Sequence, residues 1–362
     1  MPETLSAKAS QRLVSLDAYR GAIMISLISV GFGLSAFQGH AILGFLARHT
    51  DHVPWKGCVY WDLIQPAFMF MVGVAMPLAY ARRRSLGESH TRVFGHVAKR
   101  AIFLILIAAF FTSVQEGRPM ITLINVLPQI AIGYFFAFFV LNRSYTVQGV
   151  TAALILILYT LVWVLYPGNG EGGPWAHGNV NLGSAFDRWL LGRNCSGYYV
   201  VMNAIPSTAT IIFGVMCGRL VASDLSQKQV MKTLAIATIA LMAAGLALSP
   251  VVPIIKRIWT ASFTLYSAGW VILFLLLFYW IVEVLGYKRW TLPLVVVGMN
   301  SIAAYIIFQL FRGWINNAIL VFSKPLVTAL GPWGSVLQAC LVLGAIWYIL
   351  FFFYGKRIFF KI

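Results

Sequence analysis

The chain has 362 residues, 60% hydrophobic and only 10% charged, and its 27 lysines and arginines against 10 acidic residues leave a formal charge of +17. An ordinary soluble domain carries about 25% charged residues, so this composition excludes one. The positive charge is not a sign of nucleic-acid binding here, because basic residues collect in the cytoplasmic loops of membrane proteins.

Apolar runs of membrane-crossing length recur along the chain. A helix needs about 20 such residues to cross roughly 30 Å of hydrocarbon. The expected fold class is all-α, a polytopic transmembrane helical bundle forming a single integral-membrane domain over 1–362. A membrane barrel is excluded, because its strands are about 10 residues long and alternate in polarity. In chain order the spans are expected near 18–38, 59–81, 101–116, 121–141, 147–166, 199–221, 230–249, 259–284, 291–311 and 336–354. An eleventh element is open at 41–47 or 314–322, both short enough to be interfacial or re-entrant. With the N-terminus in the cytoplasm, the inside segments hold 17 lysines and arginines and the outside loops hold 9, including Arg312. This asymmetry places both termini inside. The first apolar run follows Arg20 directly and reads as a retained span rather than a cleaved signal.

Two outer loops are long. Residues 167–197 are rich in Gly, Asn and Trp, and Asp187–Leu191 within them reads as a short amphipathic helix on the outer surface. Residues 39–58 lead into the most polar junction of the chain, with His49, Asp51, His52, Lys56 and Asp62 at the start of the second span. Of the four cysteines, Cys217 and Cys340 lie in apolar runs and are expected to be buried. Cys58 and Cys195 lie near loops on one expected side, which leaves a disulfide open.

Candidate functional residues follow from where polar groups meet these spans. Asp17 and Arg20 are three apart and share a helical face, either as a capping pair or lining a cavity. His52 can exchange a proton near neutral pH and so act as a general base, with Asp62 orienting its ring. The bland alternative is an interfacial histidine beside a helix-capping aspartate. The spacing of His40, His49 and His52 matches no strong metal pattern, and no metal is expected. Within the spans, Gln65 follows Asp62 by three, Asn125 and Gln129 are four apart, and Asn300 and Ser301 interrupt an apolar run. Such groups need partners in lipid and serve either as interhelical glue or as a substrate lining. Lys256 and Arg257, ahead of Trp259, suit a phosphate or a snorkelling role.

Four blocks then resemble one family. They are Arg12-Leu-Val-Ser-Leu-Asp17-Ala-Tyr-Arg20-Gly21; His52-Val-Pro-Trp55-Lys-Gly57 with Trp61-Asp62-Leu-Ile-Gln65-Pro66; Lys256-Arg-Ile-Trp259-Thr-Ala-Ser262; and Gly298-Met-Asn300-Ser301. In this order they resemble the heparan-α-glucosaminide N-acetyltransferase family and its bacterial relatives. The resemblance implies a multispan acyltransferase with acetyl-CoA as co-substrate and His52 as the catalytic histidine, acting as general base or acyl carrier. It further implies a sugar or glycan acceptor reached from the non-cytoplasmic side, surrounding membrane lipids, and dimeric members. A bacterial inner-membrane location is expected. Gly31 stands where the family often has Asn, and Leu127-Pro128-Gln129 where it has Leu-Gln-Arg. Two other classes fit the polar spans: a transporter or flippase of a sugar-linked substrate, and a non-catalytic membrane protein that kept the fold.

Overall fold

The structure is a computed structural model and describes residues 13–168, 173–194 and 199–360. In chain order its helices are α1 (Val14–Ser29), α2 (Leu43–His49), α3 (Tyr60–Ser85), α4 (His90–Glu116), α5 (Val126–Phe138), α6 (Tyr145–Leu165), α7 (Leu182–Leu191), α8 (Ala204–Val221), α9 (Gln227–Leu248), α10 (Ala261–Tyr279), α11 (Leu292–Met299), α12 (Ser301–Ala329) and α13 (Pro332–Gly355). The described chain is all-helical, without a named strand. Nine of its helical segments are long and apolar enough to cross a membrane.

Local chemistry sets many of the boundaries. Ser89, Ser144 and Asn181 accept backbone N–H groups at the starts of α4, α6 and α7, and Ser226 with Gln229 forms a full capping box on α9. Pro293 and Pro332 open α11 and α13, where a missing N–H costs nothing.

The helices fall into two compact units. The first holds Pro54–Cys58 and Gln65–Leu276; the second holds Leu13–Val53, Val59–Ile64 and the chain from Leu277 on. In the first unit, α5 packs on α4 and α8, and α6 on α8. There α3 and α8 meet backbone to backbone, because a β-carbon on Gly73 would strike the Ile211 carbonyl and one on Gly214 the Phe70 carbonyl. Small residues permit this approach where apolar burial gives helices no advantage over lipid. In the second unit, α1 packs on α11 and α12 on α13.

Several expectations are corrected. The run at 291–311 is not one span. The chain breaks at Asn300, whose φ of −122° and ψ of 35° leave the helical region. The short α11 before it runs antiparallel to α1, with Leu294 against Gly21 and Gly298 against Asp17. The long α12 after it continues through Arg312 to Ala329, so Arg312 is inside a helix rather than in a loop, and 314–322 is the second half of α12. The element at 41–47 is the seven-residue α2. The expected span at 121–141 contains α5, whose 13 residues reach about 20 Å. Cys217 is buried but Cys340 is exposed on α13. Cys195 lies outside the described residues.

Candidate active site

In the second unit, residues 49–62 form a loop closed by its own polar groups. His49 Nδ1 accepts the Tyr60 N–H at 3.3 Å, and the Tyr60 hydroxyl meets Ser26 Oγ of α1 at 2.7 Å. Asp62 sits in the first turn of α3 and is 1% exposed. Its Oδ2 accepts N–H groups from Val59 at 3.2 Å and Val53 at 3.5 Å, while its Oδ1 meets His52 Nδ1 at 2.7 Å. One oxygen of Asp62 thus accepts backbone N–H groups and the other meets the His52 ring. These donors offset the cost of burying a carboxylate.

A carboxylate only accepts, so His52 Nδ1 carries the proton and the basic lone pair falls on Nε2. The His52 side chain is 32% exposed, and its own N–H is held by Asp51 at 2.7 Å. This is a geometry in which a carboxylate orients an imidazole and leaves its second nitrogen open. His40 and His49 have backbone duties instead: His40 Nδ1 accepts N–H groups from Ile42 and Leu43 at the start of α2. Among the described residues no cluster of three or more His, Cys, Asp or Glu has metal-holding geometry.

Ahead of this loop the backbone takes an unusual path. Val30, Gly31, Phe32 and Gly33 all have left-handed angles, with φ of 49°, 67°, 53° and 70°. A β-carbon on Gly31 would fall 2.6 Å from Thr50 Cβ, two residues before His52. Gly31 thus lets the backbone press on Thr50.

Also in the second unit, Asp17 and Arg20 stand 3.6 Å apart on α1, as their spacing required. Glu283 accepts the Ser15 N–H at 2.9 Å and lies 3.8 Å from Lys288. Asn300 is wholly buried. Its Nδ2 donates to the Ile358 carbonyl at 3.0 Å and its Oδ1 accepts the Phe360 N–H at 3.2 Å, while Ser301 Oγ donates to the Gly298 carbonyl. Asn300 therefore fastens the C-terminal segment to the break between α11 and α12.

The first unit gathers the other candidates into two places. Gln65 Nε2 donates to Gln129 Oε1 at 2.8 Å, and Gln129 Nε2 donates to the Ile124 carbonyl. Asn125 is the N-cap of α5, its Oδ1 accepting the Leu127 N–H. Gln129 is 0% exposed with both amide ends engaged, which makes a neutral interhelical contact with Gln65.

At the second place, residues 54–58 run against the 253–260 loop. Lys56 bridges Ile255, Gly57 N–H donates to the Ile254 carbonyl at 2.8 Å, and Arg257 Nε donates to the Pro54 carbonyl at 3.0 Å. Trp55 packs with Tyr159, Trp163, Ile255 and Ile258, and its Nε1 donates to the Trp175 carbonyl. Lys256, 4% exposed, and Arg257 flank the Tyr199 ring at 5.9 Å and 5.1 Å. Trp259 is fully buried at φ 49°, its N–H held by the Lys256 carbonyl. Asn203 and Tyr159 hold the Arg257 and Ile258 carbonyls at 2.9 Å and 2.8 Å. Residues 54–57 of the second sequence block thus pack on the third. Sequence reading missed Asn203, Tyr159, Tyr199 and Thr260, whose Oγ1 donates to the Pro253 carbonyl; the sole signal was the polarity of Asn203 and Thr260 beside apolar runs.

The short helix expected at 187–191 is the second half of α7, which begins at Leu182, and Asp187 is turned inward. Asp187 is 1% exposed and accepts the Val201 N–H at 3.0 Å, while Trp189 is 78% exposed. Burial pushes the Asp187 carboxyl up to about 6.

No family model matches the chain. Heparan-alpha-glucosaminide N-acetyltransferase of Mus musculus is 22% identical over 425 aligned residues, which cover all of this chain and 62% of the relative. The protein of the same name from Homo sapiens is 23% identical over 368, covering 84% of this chain and 53% of the relative. The chain thus spans between about half and two thirds of the length of these curated relatives. Together with its apolar helices, these likenesses make it an integral, multi-pass membrane protein. It is a distant relative of the heparan-alpha-glucosaminide N-acetyltransferases.

Proposed function

We propose that the chain is a multispan membrane acyltransferase that moves an acetyl group from acetyl-CoA to an amine or hydroxyl of a sugar or glycan, with His52 as the base. The observation that carries the reading is the 2.7 Å contact of His52 Nδ1 with the buried Asp62 carboxylate, in a chain distantly related to two N-acetyltransferases. His52 Nε2 takes the proton of the attacking N–H or O–H as the acceptor adds to the thioester carbonyl. The C–S bond then breaks, and the imidazolium returns that proton to the CoA sulfur. Asp62 fixes the ring and offsets the transient positive charge, a role worth about 10²–10⁴ in rate for general-base catalysis. In this reading the donor is on the cytoplasmic side and the acceptor on the outer side of a bacterial inner membrane.

The test uses purified full-length protein with labelled acetyl-CoA and glucosamine-terminated oligosaccharides. Transfer by the wild type and its loss in His52→Ala are expected. Equal transfer by the variant, or no CoA binding by the wild type, overturns the reading. Incubation without acceptor separates direct transfer from an acyl-imidazole route, because only the latter leaves label on His52.

A further inference from the structure

Arg312 lies close to the middle of α12, a 29-residue helix that is long and apolar enough to cross a membrane. At 1.5 Å per residue it stands about 17 Å along the axis from Ser301 and about 26 Å from Ala329, away from both helix ends. Phe311 and Trp314, which point to other sides of the helix than Arg312, are 51% and 72% exposed. The Arg312 side chain is partly buried: Nε is enclosed and has no hydrogen-bond partner, and no described residue forms an ion pair with it. Ionisable groups at such positions are rare and mark ligand or ion routes.

The acids of the same unit are already engaged. Asp17 pairs with Arg20, Glu283 with the Ser15 N–H and Lys288, Asp62 with His52, and Asp51 with the His52 N–H. The surroundings of Arg312 along its own helix are neutral and polar. Tyr305, Gln309, Arg312, Asn316 and Ser323 are spaced four, three, four and seven apart and share one face. Gln309 Nε2 donates to the Tyr305 hydroxyl at 2.7 Å. Gln338 of α13 joins this face, donating to Asn316 Oδ1 at 3.2 Å and accepting from Ser323 Oγ at 2.7 Å. No charged group of α13 faces Arg312, since that helix carries no acidic, basic or histidine residue between Pro332 and Gly355; its titratable side chains are Cys340, Tyr348 and Tyr354. A guanidinium is a planar fork matched to oxyanions, and here it is the one cation in a hydrogen-bonding seam.

We propose that Arg312, flanked by the amides of Gln309 and Asn316, is a binding site within the membrane for a phosphate oxyanion. The phosphate is carried either by an anionic lipid or by a phosphorylated substrate that reaches the seam. The site does not rest on the transferase reading. The test uses the purified full chain in neutral detergent, with dioctanoyl phosphatidic acid, CoA and dioctanoylglycerol as probes, and native mass spectrometry and thermal unfolding as readouts. The wild type should bind at least one phosphate bearer and ignore dioctanoylglycerol. Arg312→Gln should weaken that binding at least tenfold, and Arg312→Lys, which keeps the charge, should weaken it less.

Loss of phosphatidic acid binding alone assigns the site to lipid, and loss of CoA binding assigns it to substrate. A wild type that binds phosphatidic acid through Arg312 but never CoA sinks the transferase reading and leaves this site standing. Equal binding by wild type and Arg312→Gln, or wild-type binding to neither phosphate bearer, overturns the site. If Arg312→Gln does not fold, Asn316→Leu with Arg312 intact must weaken the same ligand severalfold, and unchanged binding overturns the proposal equally.

Discussion

Gly31→Ala probes how the His52 loop is seated. Two separable costs follow from the structure. The φ of 67° at this position costs an L-residue about 1–2 kcal/mol. The new β-carbon, 2.6 Å from Thr50 Cβ and 3.0 Å from the Thr50 carbonyl oxygen, adds an overpacking cost of about 1–3 kcal/mol. The sum is roughly 2–5 kcal/mol. Thr50→Gly removes the colliding Cβ and the Oγ1 beside it and leaves the carbonyl oxygen, so a double-mutant cycle separates the side-chain part from the backbone part. In the Thr50→Gly background Gly31→Ala should cost about 1–3 kcal/mol less than in the wild type, with the backbone part remaining. Equilibrium unfolding in mixed detergent micelles measures all four proteins, and Gly31→Ala should also slow transfer because Thr50 precedes His52 by two residues. A Gly31→Ala that costs under about 0.5 kcal/mol, the ordinary range of a surface change, refutes the left-handed turn. A cost that Thr50→Gly leaves untouched refutes the contact.

Asp62→Asn offers the His52 ring an amide that can donate to Nδ1 and move the ring proton to Nε2; transfer should fall about 10²–10⁴-fold, and a single-turnover rate within tenfold of wild type contradicts the assigned tautomer. Asp187 should make the docking of α7 depend on pH. Its folded carboxyl titrates near 6 and the unfolded one near 3.9, so the native form binds the proton more tightly. That stabilisation, about 3 kcal/mol, is complete below about pH 4 and lost as pH rises through 6. Thermal unfolding between pH 4 and 8 should show this slope in the wild type and lose it in Asp187→Asn. Asn300→Ala leaves the Ile358 carbonyl and Phe360 N–H without their partner, at about 1–3 kcal/mol for the exposed deficit; amide exchange at 358–360 should accelerate, and unchanged protection there contradicts the fastening role.

The sequence by itself determined the class of the molecule. Runs of about 20 apolar residues have one stable solution in lipid, a helix that satisfies its own backbone, and that physics is local. The Asp17–Arg20 pairing was legible for the same reason, since a helix places residues three apart on one face. His52 and Asp62 stood out because ionisable groups are costly at the start of a span. Their contact across ten residues needed the loop, which His49, Tyr60 and Ser26 hold by bonds that no periodicity announces.

Only the tertiary structure decided the rest. The break at Asn300 is invisible to hydropathy, because 291–311 is apolar on both sides of it; what stops the helix is an amide spent on the Ile358 carbonyl and the Phe360 N–H, some sixty residues on. Arg312 read as the end of a span, because a charge usually is, until α12 carried on past it. The joining of residues 54–58 to the 253–260 loop, and the pressing of Gly31 on Thr50, depend on backbone meeting backbone. Residue type constrains such contacts only by what it forbids: a side chain at Gly31, or a bulky one at Gly73 and Gly214. The chain's polarity pattern therefore fixes that helices form and roughly where, while the bonds between distant carbonyls and amides fix where some of them break and which of its few polar residues meet.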